Sequence, residues 1–215
     1  MAKSIADIRK DYSQKVLSEK DILNDPIRQF DLWWKDAITA EIEEANAMTL
    51  ATASADGLPS ARIVLLKGFS EKGFVFYTNY DSFKGKQLAE NPKACLVFFW
   101  KELERQVRIT GFVQKVTEQE SDEYFYSRPL SSQIGAAVSP QSQVIEDRDW
   151  LEDQYHQFEK DRTRVSALKR PDHWGGYLVR PVMVEFWQGR PGRLHDRIEY
   201  SLKDSGEWKI ERLAP

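Results

Sequence analysis

The sequence predicts a mainly β protein of the α+β class, an antiparallel barrel with N-terminal helices and a helical insert. Five strand-like segments fall within about seventy residues after residue 46, and short, closely spaced strands are typical of barrels. Apolar residues recur at helical spacing before this region and again between residues 118 and 161. No linker or repeat divides the chain, so we expect a single domain over residues 1–215.

The segments before the barrel predict two helices. Residues 4–14 suggest a short, charged helix or arm with little to bury, within an N-terminal arm over residues 1–20. The second helix is better marked, because Asp25 suits the N-cap and Pro26 suits the first helical position. Its apolar residues are expected to pack on a sheet; they are Ile27, Phe30, Trp34, Ile38 and Ile42.

Turn signals separate the predicted strands. "MTLATAS" and "SARIVLLKGF" flank Asp56-Gly57, which is a hairpin signature. A short helix over Ser82 to Glu90 is stopped by Asn91-Pro92. The remaining strands of this half are "GFVFYTN", "KACLVFFW" and "RQVRITGFVQKV".

The second half predicts helices followed by strands. Residues 118–161 are expected to be helical, interrupted by the turn-rich segment "RPLSSQIGAAVSPQSQ". Strands return with "GGYLVRPVMVEFWQG", "RLHDRIEYSL" and "WKIERLAP", the last two joined by a turn at residues 203–207. These strands are expected to complete the sheet of the first half.

Composition and charge argue against several classes of protein. The net charge of −3 does not favour nucleic acid binding, and the longest uncharged apolar run, residues 94–100, is far shorter than the ~20 residues of a membrane span. The N-terminal residues carry no apolar run, so we expect no secretory signal. The single cysteine, Cys95, and the scattered histidines predict neither a disulfide nor a metal site, and a cytoplasmic location is expected.

The segment "RLHDR" raises a specific question. If it is a strand, Arg193, His195 and Arg197 share one face, because alternate side chains of a strand point the same way. Leu194 would then take the other face. Like charges side by side repel, so an anion or an acidic neighbour is expected against this row.

Further polar and basic residues lie in or beside the strands and helix starts. Any one of them alone is more simply a solvated surface residue. Together they offer the guanidinium, ammonium and hydroxyl groups that recognise phosphate. They are Arg62, Lys67, Lys84, Gln106, Arg108 and Arg128. The residues alone therefore predict a barrel that binds phosphorylated small molecules.

No motif for unaided chemistry accompanies these residues. The chain lacks the G-x-G-x-x-G and G-x-x-x-x-G-K-[ST] loops that cradle nucleotides and the G-x-S-x-G nucleophile elbow. Cys95 has no nearby charge in the sequence that would activate it as a nucleophile. We therefore expect a bound cofactor to carry any reaction.

The chain resembles the pyridoxine (pyridoxamine) 5′-phosphate oxidase family from about residue 9 to the C-terminus, and nine short motifs carry the resemblance. They are "RIVLLKGF", "FYTN", "ERQVRITG", "YFYSRP", "SSQIGAAVSPQSQ", "WGGY", "EFWQG", "RLHDR" and "WKIERLAP". The resemblance implies a split β-barrel homodimer with FMN at the subunit interface. It also implies oxidation of pyridoxamine or pyridoxine 5′-phosphate to pyridoxal 5′-phosphate by hydride transfer from C4′ to flavin N5. O2 would be reduced to H2O2, in the last step of vitamin B6 cofactor synthesis and salvage.

The resemblance also implies the site residues. FMN would be held by Arg62, Ile63, Val64, Leu65, Leu66, Lys67, Tyr77, Thr78, Phe83, Lys84, Gln106, Gln141, Ser142, Trp187 and Arg197. The substrate would meet Lys67, Tyr124, Arg128, Ser132, Arg193, Leu194 and His195, and Arg193 and His195 would lie over its ring as catalytic residues. The segment from Arg9 through Lys10 and Asp11 to Tyr12 matches a mobile part of the family that folds over the substrate.

Several points stay open on the sequence alone. Phe83 stands where the family often has a basic residue that could contact the FMN phosphate. Arg62 and Lys67 are five residues apart, so either a bulge intervenes or they serve different ligands. Trp187 is equally consistent with barrel packing. Alternative functions are a split-barrel flavoprotein with another substrate, an FMN store, and a non-enzymatic pyridoxal phosphate carrier.

Overall fold

A computed structural model describes residues 4–5 and 11–215, and within them nine strands and six α-helices. The strands are β1 Ala47–Ala53, β2 Pro59–Leu65, β3 Gly68–Ser70, β4 Gly73–Asn79, β5 Lys93–Trp100, β6 Arg105–Lys115, β7 Trp174–Gln188, β8 Asp196–Leu202 and β9 Trp208–Leu213. The helices are α1 Pro26–Thr39, α2 Phe83–Glu90, α3 Glu118–Ser127, α4 Leu130–Val138, α5 Arg148–Lys160 and α6 Arg162–Ser166. Of the described helices, not one is both long and apolar enough to cross a bilayer.

One antiparallel sheet curls into the split barrel that was predicted. Its strand order is β2-β1-β5-β6-β7-β4-β3, with β8 and β9 attached to β7. β7 is the junction, because its first part pairs with β4, its last part pairs with β8, and β6 pairs along most of its length. β2 contacts β4 without pairing with it, so the barrel is open there.

The core lies inside the curl of the sheet. Leu50, Leu96, Ile109 and Val184 form one fully buried row across β1, β5, β6 and β7, because paired residues of neighbouring strands point to the same face. α1 covers this interior with Phe30 at its centre. The rings around Phe30 belong to Trp34, Phe69, Phe74, Phe98 and Trp100.

α1 begins where the sequence predicts, but its buried face differs. The Asp25 carboxylate accepts hydrogen bonds from the backbone N–H groups of Ile27 and Arg28, which confirms the N-cap. The buried face includes Trp33 and Ala37, whereas Ile38 is 53% exposed. The helix ends at Thr39, so Ile42 lies beyond it.

The predicted strand "SARIVLLKGF" is two strands. β2 ends at Leu65 and β3 begins at Gly68, and the two residues between them leave the ladder. The N–H of Leu66 donates to Asn46 O, and the N–H of Lys67 donates to Val75 O. Leu66 is buried and Lys67 is exposed, so the chain changes direction at this point. The predicted hairpin at Asp56-Gly57 is confirmed, with a positive φ of 89° at the glycine.

Two helical predictions need correction. α4 occupies the segment that was predicted to be a turn-rich interruption, and its contacts with α5 explain why these small residues are helical. α6 extends the helical region beyond residue 161. The predicted helix or arm at residues 4–14 falls partly outside the described residues; residues 11–14 are not helical, and the Glu104 carboxylate accepts hydrogen bonds from the backbone of Ser13 and Gln14.

Candidate functional site

A cavity of about 580 Å³ lies at the open side of the barrel, where β2 approaches β4. We call it the cation cavity, after its four cations Arg62, Lys67, Lys84 and Arg128. The other residues predicted for FMN or substrate that line it are Ile63, Val64, Leu65, Tyr77, Thr78, Tyr124, Ser132 and Gln141. Most of the predicted site is therefore one surface, built by β2, β4, α2 and the helical insert.

Arg62 is held by neutral groups. Its guanidinium donates to Thr52 Oγ1 at 2.6 Å, to Ser60 Oγ at 2.5 Å and to Leu50 O at 3.2 Å. The two hydroxyls in turn donate to Gln87 Oε1, at 2.6 and 2.7 Å. Burial lowers the pKa of Arg62 because no carboxylate offsets the loss of water.

Lys84 is held in a similar way. Its Nζ donates to Gln141 Oε1 at 2.9 Å, to Thr78 Oγ1 at 3.1 Å and to Ser82 Oγ at 3.3 Å. Burial, with a smaller contribution from the positive charge of Arg62, lowers the pKa of Lys84 to about 8. Arg62 and Lys84 are neighbouring, partly buried cations whose hydrogen-bond partners are neutral, and such a pair favours an anionic ligand.

Arg128 supplies the clearest sign of an absent partner. Its Nη1 is buried and has no hydrogen-bond partner among the described residues. The guanidinium lies 4.6 Å from the ring centre of Trp174, which stacks with Tyr77 and Tyr124. Burial lowers the pKa of Arg128. A buried donor without an acceptor is costly, so an acceptor from a ligand fits this position.

The break between β2 and β3 resolves the spacing of Arg62 and Lys67. In an unbroken strand the two side chains would point to opposite faces, yet both line the cation cavity. The chain leaves the ladder between them, at Leu66, which turns Lys67 back toward the cavity. The interruption between β2 and β3 therefore brings both side chains to one cavity, where they can serve one ligand or two neighbouring ones.

A free strand edge faces the same cavity. β2 pairs only with β1 among the described strands, and its last residues, Arg62 to Leu65, line the cavity. The N–H and C=O groups of this edge are available to a ligand. Leu66 is buried in the core, while Phe83 and Ser142 are exposed outside the cavity lining; these three predicted residues do not join the cavity.

The remaining predicted residues form a second group, which we call the β7–β8 cluster. It contains Tyr12, Gln106, Trp187, Arg193, Leu194, His195 and Arg197. Trp187 is opposite Gln106 on one side and Arg197 on the other, so these three stand in one row. Asp11 is exposed, and Arg9 and Lys10 lie outside the described residues.

Three rings meet in this cluster. The ring centres of Trp187 and His195 are 4.6 Å apart, and Tyr12 lies 5.7 Å from Trp187 and 5.9 Å from His195. His195 Nδ1 accepts a hydrogen bond from the backbone N–H of Arg190 at 3.1 Å. In the neutral ring the proton therefore sits on Nε2, which remains a donor.

The strand interpretation of "RLHDR" is wrong in its first half. β8 begins only at Asp196, and Arg193 belongs to a 3-10 turn with a positive φ of 63°. Such a conformation costs an L residue about 1–2 kcal/mol, which is a strain found often at functional sites. Leu194, expected on the other face, is 73% exposed. The turn, not strand alternation, sets the position of Arg193.

The expected acidic neighbour is present, but it serves Arg197. Glu185, only 2% exposed, accepts two hydrogen bonds at 3.0 Å from Arg197 and forms a salt bridge of 2.8 Å with Arg108. Arg197 Nη1 donates to Ala214 O at 2.8 Å. The hydrogen bond to Glu185 raises the pKa of Arg197. Two arginines on one carboxylate leave a single net positive charge.

The cation cavity and the β7–β8 cluster lie at opposite ends of one strand. Trp174 begins β7 in the cavity wall, and Trp187 lies thirteen residues further along the same strand. At roughly 3.3 Å per residue, the path along the strand is about 40 Å.

Sequence reasoning missed several residues of the site. Asn79 and Trp174 line the cavity and lie in the quoted motifs "FYTN" and "WGGY", but no role was predicted for them. Gln87 accepts hydrogen bonds from the two hydroxyls that bind Arg62, and Glu185 binds Arg197. No sequence signal distinguishes Gln87 and Glu185 from other polar residues. Their role follows only from contacts between distant parts of the chain.

The curled antiparallel sheet, open beside a cavity with cations, defines a split-barrel protein. Residues 34–160 match the family model described as "Pyridoxamine 5'-phosphate oxidase". Residues 174–215 match the model described as "Pyridoxine 5'-phosphate oxidase C-terminal dimerisation region". The chain belongs to the pyridoxamine 5′-phosphate oxidase family and is an oxidoreductase.

Relatives and solved structures agree with this assignment. The pyridoxine/pyridoxamine 5′-phosphate oxidase of Trichormus variabilis is 54% identical over 215 residues, with 100% of both chains covered. That of Acaryochloris marina is 56% identical over 99% of this chain and 96% of its own. The crystal structure of PhzG from Burkholderia lata matches with a TM-score of 0.86 at 30% identity, over 94% of this chain and 100% of that one.

A more distant structure supports the fold alone. It is the pyridoxamine 5′-phosphate oxidase-related, FMN binding protein from Nostoc punctiforme, with a TM-score of 0.71 at 18% identity. The match covers 89% of this chain and 98% of that one. The split barrel predicted from the sequence is therefore confirmed.

Proposed function

We propose that this protein is an FMN-dependent oxidase that converts pyridoxamine or pyridoxine 5′-phosphate to pyridoxal 5′-phosphate. The observation that carries the proposal is the cation cavity, whose four cations form no salt bridge with any described residue. Two phosphate groups, one from FMN and one from the substrate, would satisfy them. The buried Nη1 of Arg128, which has no hydrogen-bond partner among the described residues, supports an anionic ligand in the cavity.

The residues divide between the two phosphates by their position. Arg62, which binds Ser60, and Lys84, which binds Thr78, would hold the FMN phosphate. The second set would hold the substrate phosphate and comprises Lys67, Tyr124, Arg128 and Ser132. The free edge of β2 would bind polar atoms of the flavin. Bound FMN would supply the hydride acceptor for oxidation of the substrate at C4′, with O2 as the final electron acceptor, reduced to H2O2.

A homodimer would complete the site. In a two-fold dimer, the β7–β8 cluster of one chain would lie over the cation cavity of the other chain. Arg193 and His195 of the partner subunit would then cover the substrate ring. His195 Nε2 would donate to it, and Arg197 would lie at the polar edge of the flavin and stabilise negative charge there.

Peroxide production tests the proposed reaction. We expect the purified protein with FMN to release one H2O2 per pyridoxal 5′-phosphate formed, and the protein stripped of FMN to release none. Unphosphorylated pyridoxamine should react poorly, because it cannot use Arg128. A pyridoxal phosphate carrier would bind product without peroxide, and an oxidase for another substrate would bind FMN without turning over either B6 ester.

Complementation tests the shared site. Arg62→Ala removes the cavity function and Arg193→Ala removes the cluster function, so each homodimer should be nearly inactive. Coexpressed together, half of the random dimers are mixed, and each mixed dimer retains one intact site out of two. Activity should recover to about a quarter of wild type. No recovery would show that each site is built from a single chain.

A further inference from the structure

The N-terminal segment is held in place by a buried acid in the turn between β5 and β6. Glu104 is 2% exposed, and its Oε2 accepts hydrogen bonds from the backbone N–H groups of Ser13 at 2.8 Å and Gln14 at 3.1 Å. Its backbone has a positive φ of 55°, which is unfavourable for a residue with a side chain. Burial of a carboxylate and a strained backbone are both costly, so the contact of Glu104 with the N-terminal backbone is a specific one.

The same residue also holds the end of β7. Glu104 O accepts hydrogen bonds from the N–H of Gly189 at 2.7 Å and from Gln188 Nε2 at 3.2 Å. Glu104 thus joins the N-terminal segment to the strand end that carries the β7–β8 cluster. Tyr12, the residue before this contact, packs on Trp187 and His195 of that cluster.

Gly189 makes room for this arrangement. A Cβ on Gly189 would lie 2.6 Å from Tyr12 Cγ and 2.7 Å from Tyr12 Cβ, which is closer than atoms pack. The backbone of Gly189 does not have a positive φ, so another residue is excluded by the tyrosine alone. Glu104 and Gly189 therefore act on the position of Tyr12 from two sides.

We propose that Glu104 is a positioning residue that docks the N-terminal segment and sets Tyr12 against His195 in the substrate-facing wall. The proposal rests on the proposed function for its effect on catalysis. Glu104 touches neither ligand in this scheme and acts on the substrate through the position of Tyr12. Loss of the dock should weaken substrate retention and leave the turnover of bound substrate nearly unchanged.

Proteolysis tests the docking in the FMN-free protein. The Lys15–Val16 bond lies just after the docked residues, and trypsin cleaves it only when the segment leaves the surface. We expect Glu104→Ala to raise the cleavage rate about tenfold, because it removes two hydrogen bonds to a charged acceptor. Glu104→Gln, which keeps an acceptor oxygen, should show a smaller increase. Gly189→Ala should match Glu104→Ala by displacing Tyr12.

Glu102→Gln is the matched control. Glu102 lies in the same turn, is exposed, and contacts Gln14 only through its backbone oxygen, so this variant should be cleaved like wild type. Wild-type cleavage in both Glu104→Ala and Gly189→Ala would overturn the proposal. This result is independent of whether the protein oxidises a B6 ester.

Kinetics test the consequence. For pyridoxamine 5′-phosphate we expect KM to rise about tenfold in Glu104→Ala and Gly189→Ala, with kcat within about twofold of wild type. Tyr12→Ala should raise KM similarly, and combining it with Glu104→Ala should add nothing, because both act through one ring. A fall in thermal stability with unchanged KM would show a merely structural role. Absence of activity in the wild type would refute the proposed function and leave the proteolysis result standing.

Discussion

The arginines and lysines of the cation cavity differ from those at the end of the sheet in what accompanies them. Arg62 and Lys84 are surrounded by hydroxyl, amide and carbonyl groups, and burial lowers their pKa. Arg197 and Arg212 bind carboxylates, and the hydrogen bonds to Glu185 and Glu19 raise their pKa. Both regions are basic in sequence, but the charges are balanced in only one of them.

This difference separates cations whose charge is balanced within the chain from cations whose charge is not. A cation beside a carboxylate stabilises the folded chain whether or not a ligand is bound. A partly buried cation with neutral partners costs desolvation energy that the chain does not recover until an anion arrives. The cations of the cavity therefore lower the stability of the empty protein and raise its affinity for an anion. The paired cations at the end of the sheet do not have this cost.

The largest effect is expected where balanced charges are broken. Glu185→Ala would leave Arg108 and Arg197 facing each other without their shared carboxylate, and should lower the free energy of unfolding by about 3–5 kcal/mol. Urea denaturation measures this. The control is Glu211→Ala on β9, whose exposed pair with Lys209 is worth less than about 1 kcal/mol. Equal losses in the two variants would contradict the comparison.

Removing a cation that has no carboxylate partner should weaken ligand binding without lowering the stability of the empty protein. Arg62→Ala should weaken FMN binding about 100-fold, since charge-assisted hydrogen bonds to a phosphate are lost, and should leave the empty protein as stable as wild type or more stable. Quenching of FMN fluorescence measures the affinity. Arg212→Ala, the control from the balanced region, should destabilise the fold and change FMN affinity by less than about threefold. The reverse outcome would show that the two classes of cation are assigned incorrectly.

Lys84 makes the cavity sensitive to pH. Its ammonium is charged below its pKa of about 8 and neutral above it, so FMN affinity should fall above pH 8, by up to about tenfold per pH unit. Titrations from pH 7 to pH 10 measure this, and Lys84→Met should remove that dependence. In the empty protein the sign is reversed: between pH 8 and the normal lysine pKa the unfolded chain binds more protons, so Lys84 makes stability rise with pH. A flat wild-type profile would contradict the depressed pKa.

The smallest effect is expected at Phe83. Its side chain is 55% exposed and does not line the cavity, so a basic residue there would be separated from the ligand by solvent. Phe83→Lys should improve FMN affinity by no more than about threefold, and 1 M salt should remove the gain. A gain of tenfold or more would mean that position 83 reaches the phosphate, and that this chain lacks a contact.

The sequence predicted individual elements better than their faces. The Asp25 cap, the Asp56-Gly57 turn and the Ser82 helix start are confirmed, because each depends on residues within four positions of one another. On α1, Ile27 and Phe30 are buried as predicted but Ile38 is exposed, and the break after Leu65 was only one of two alternatives that the sequence left open. Both depend on what the segment packs against, and local periodicity does not contain that information.

The candidate site was predictable to a similar extent. Motif resemblance named most of the cavity residues, including Gln141 from a loop far along the chain. It did not indicate that Arg197 would be bound to Glu185, that Arg193 would sit in a left-handed turn, or that Gln87 would hold the partners of Arg62. Those contacts join residues from separate strands and helices.

What the residues determined by themselves is chemistry and local conformation: a basic, cofactor-dependent barrel with its turns and caps in place. What only the tertiary structure decided is which cations find a carboxylate. Charge balance is set by neighbours within a few ångströms, and the curl of the sheet brings Glu185 to Arg197 but, within the part of the chain that the structure describes, no acid into a salt bridge with Arg62. Because electrostatic energy falls with distance in space and not along the chain, the fold selects which positive residues remain available to a ligand.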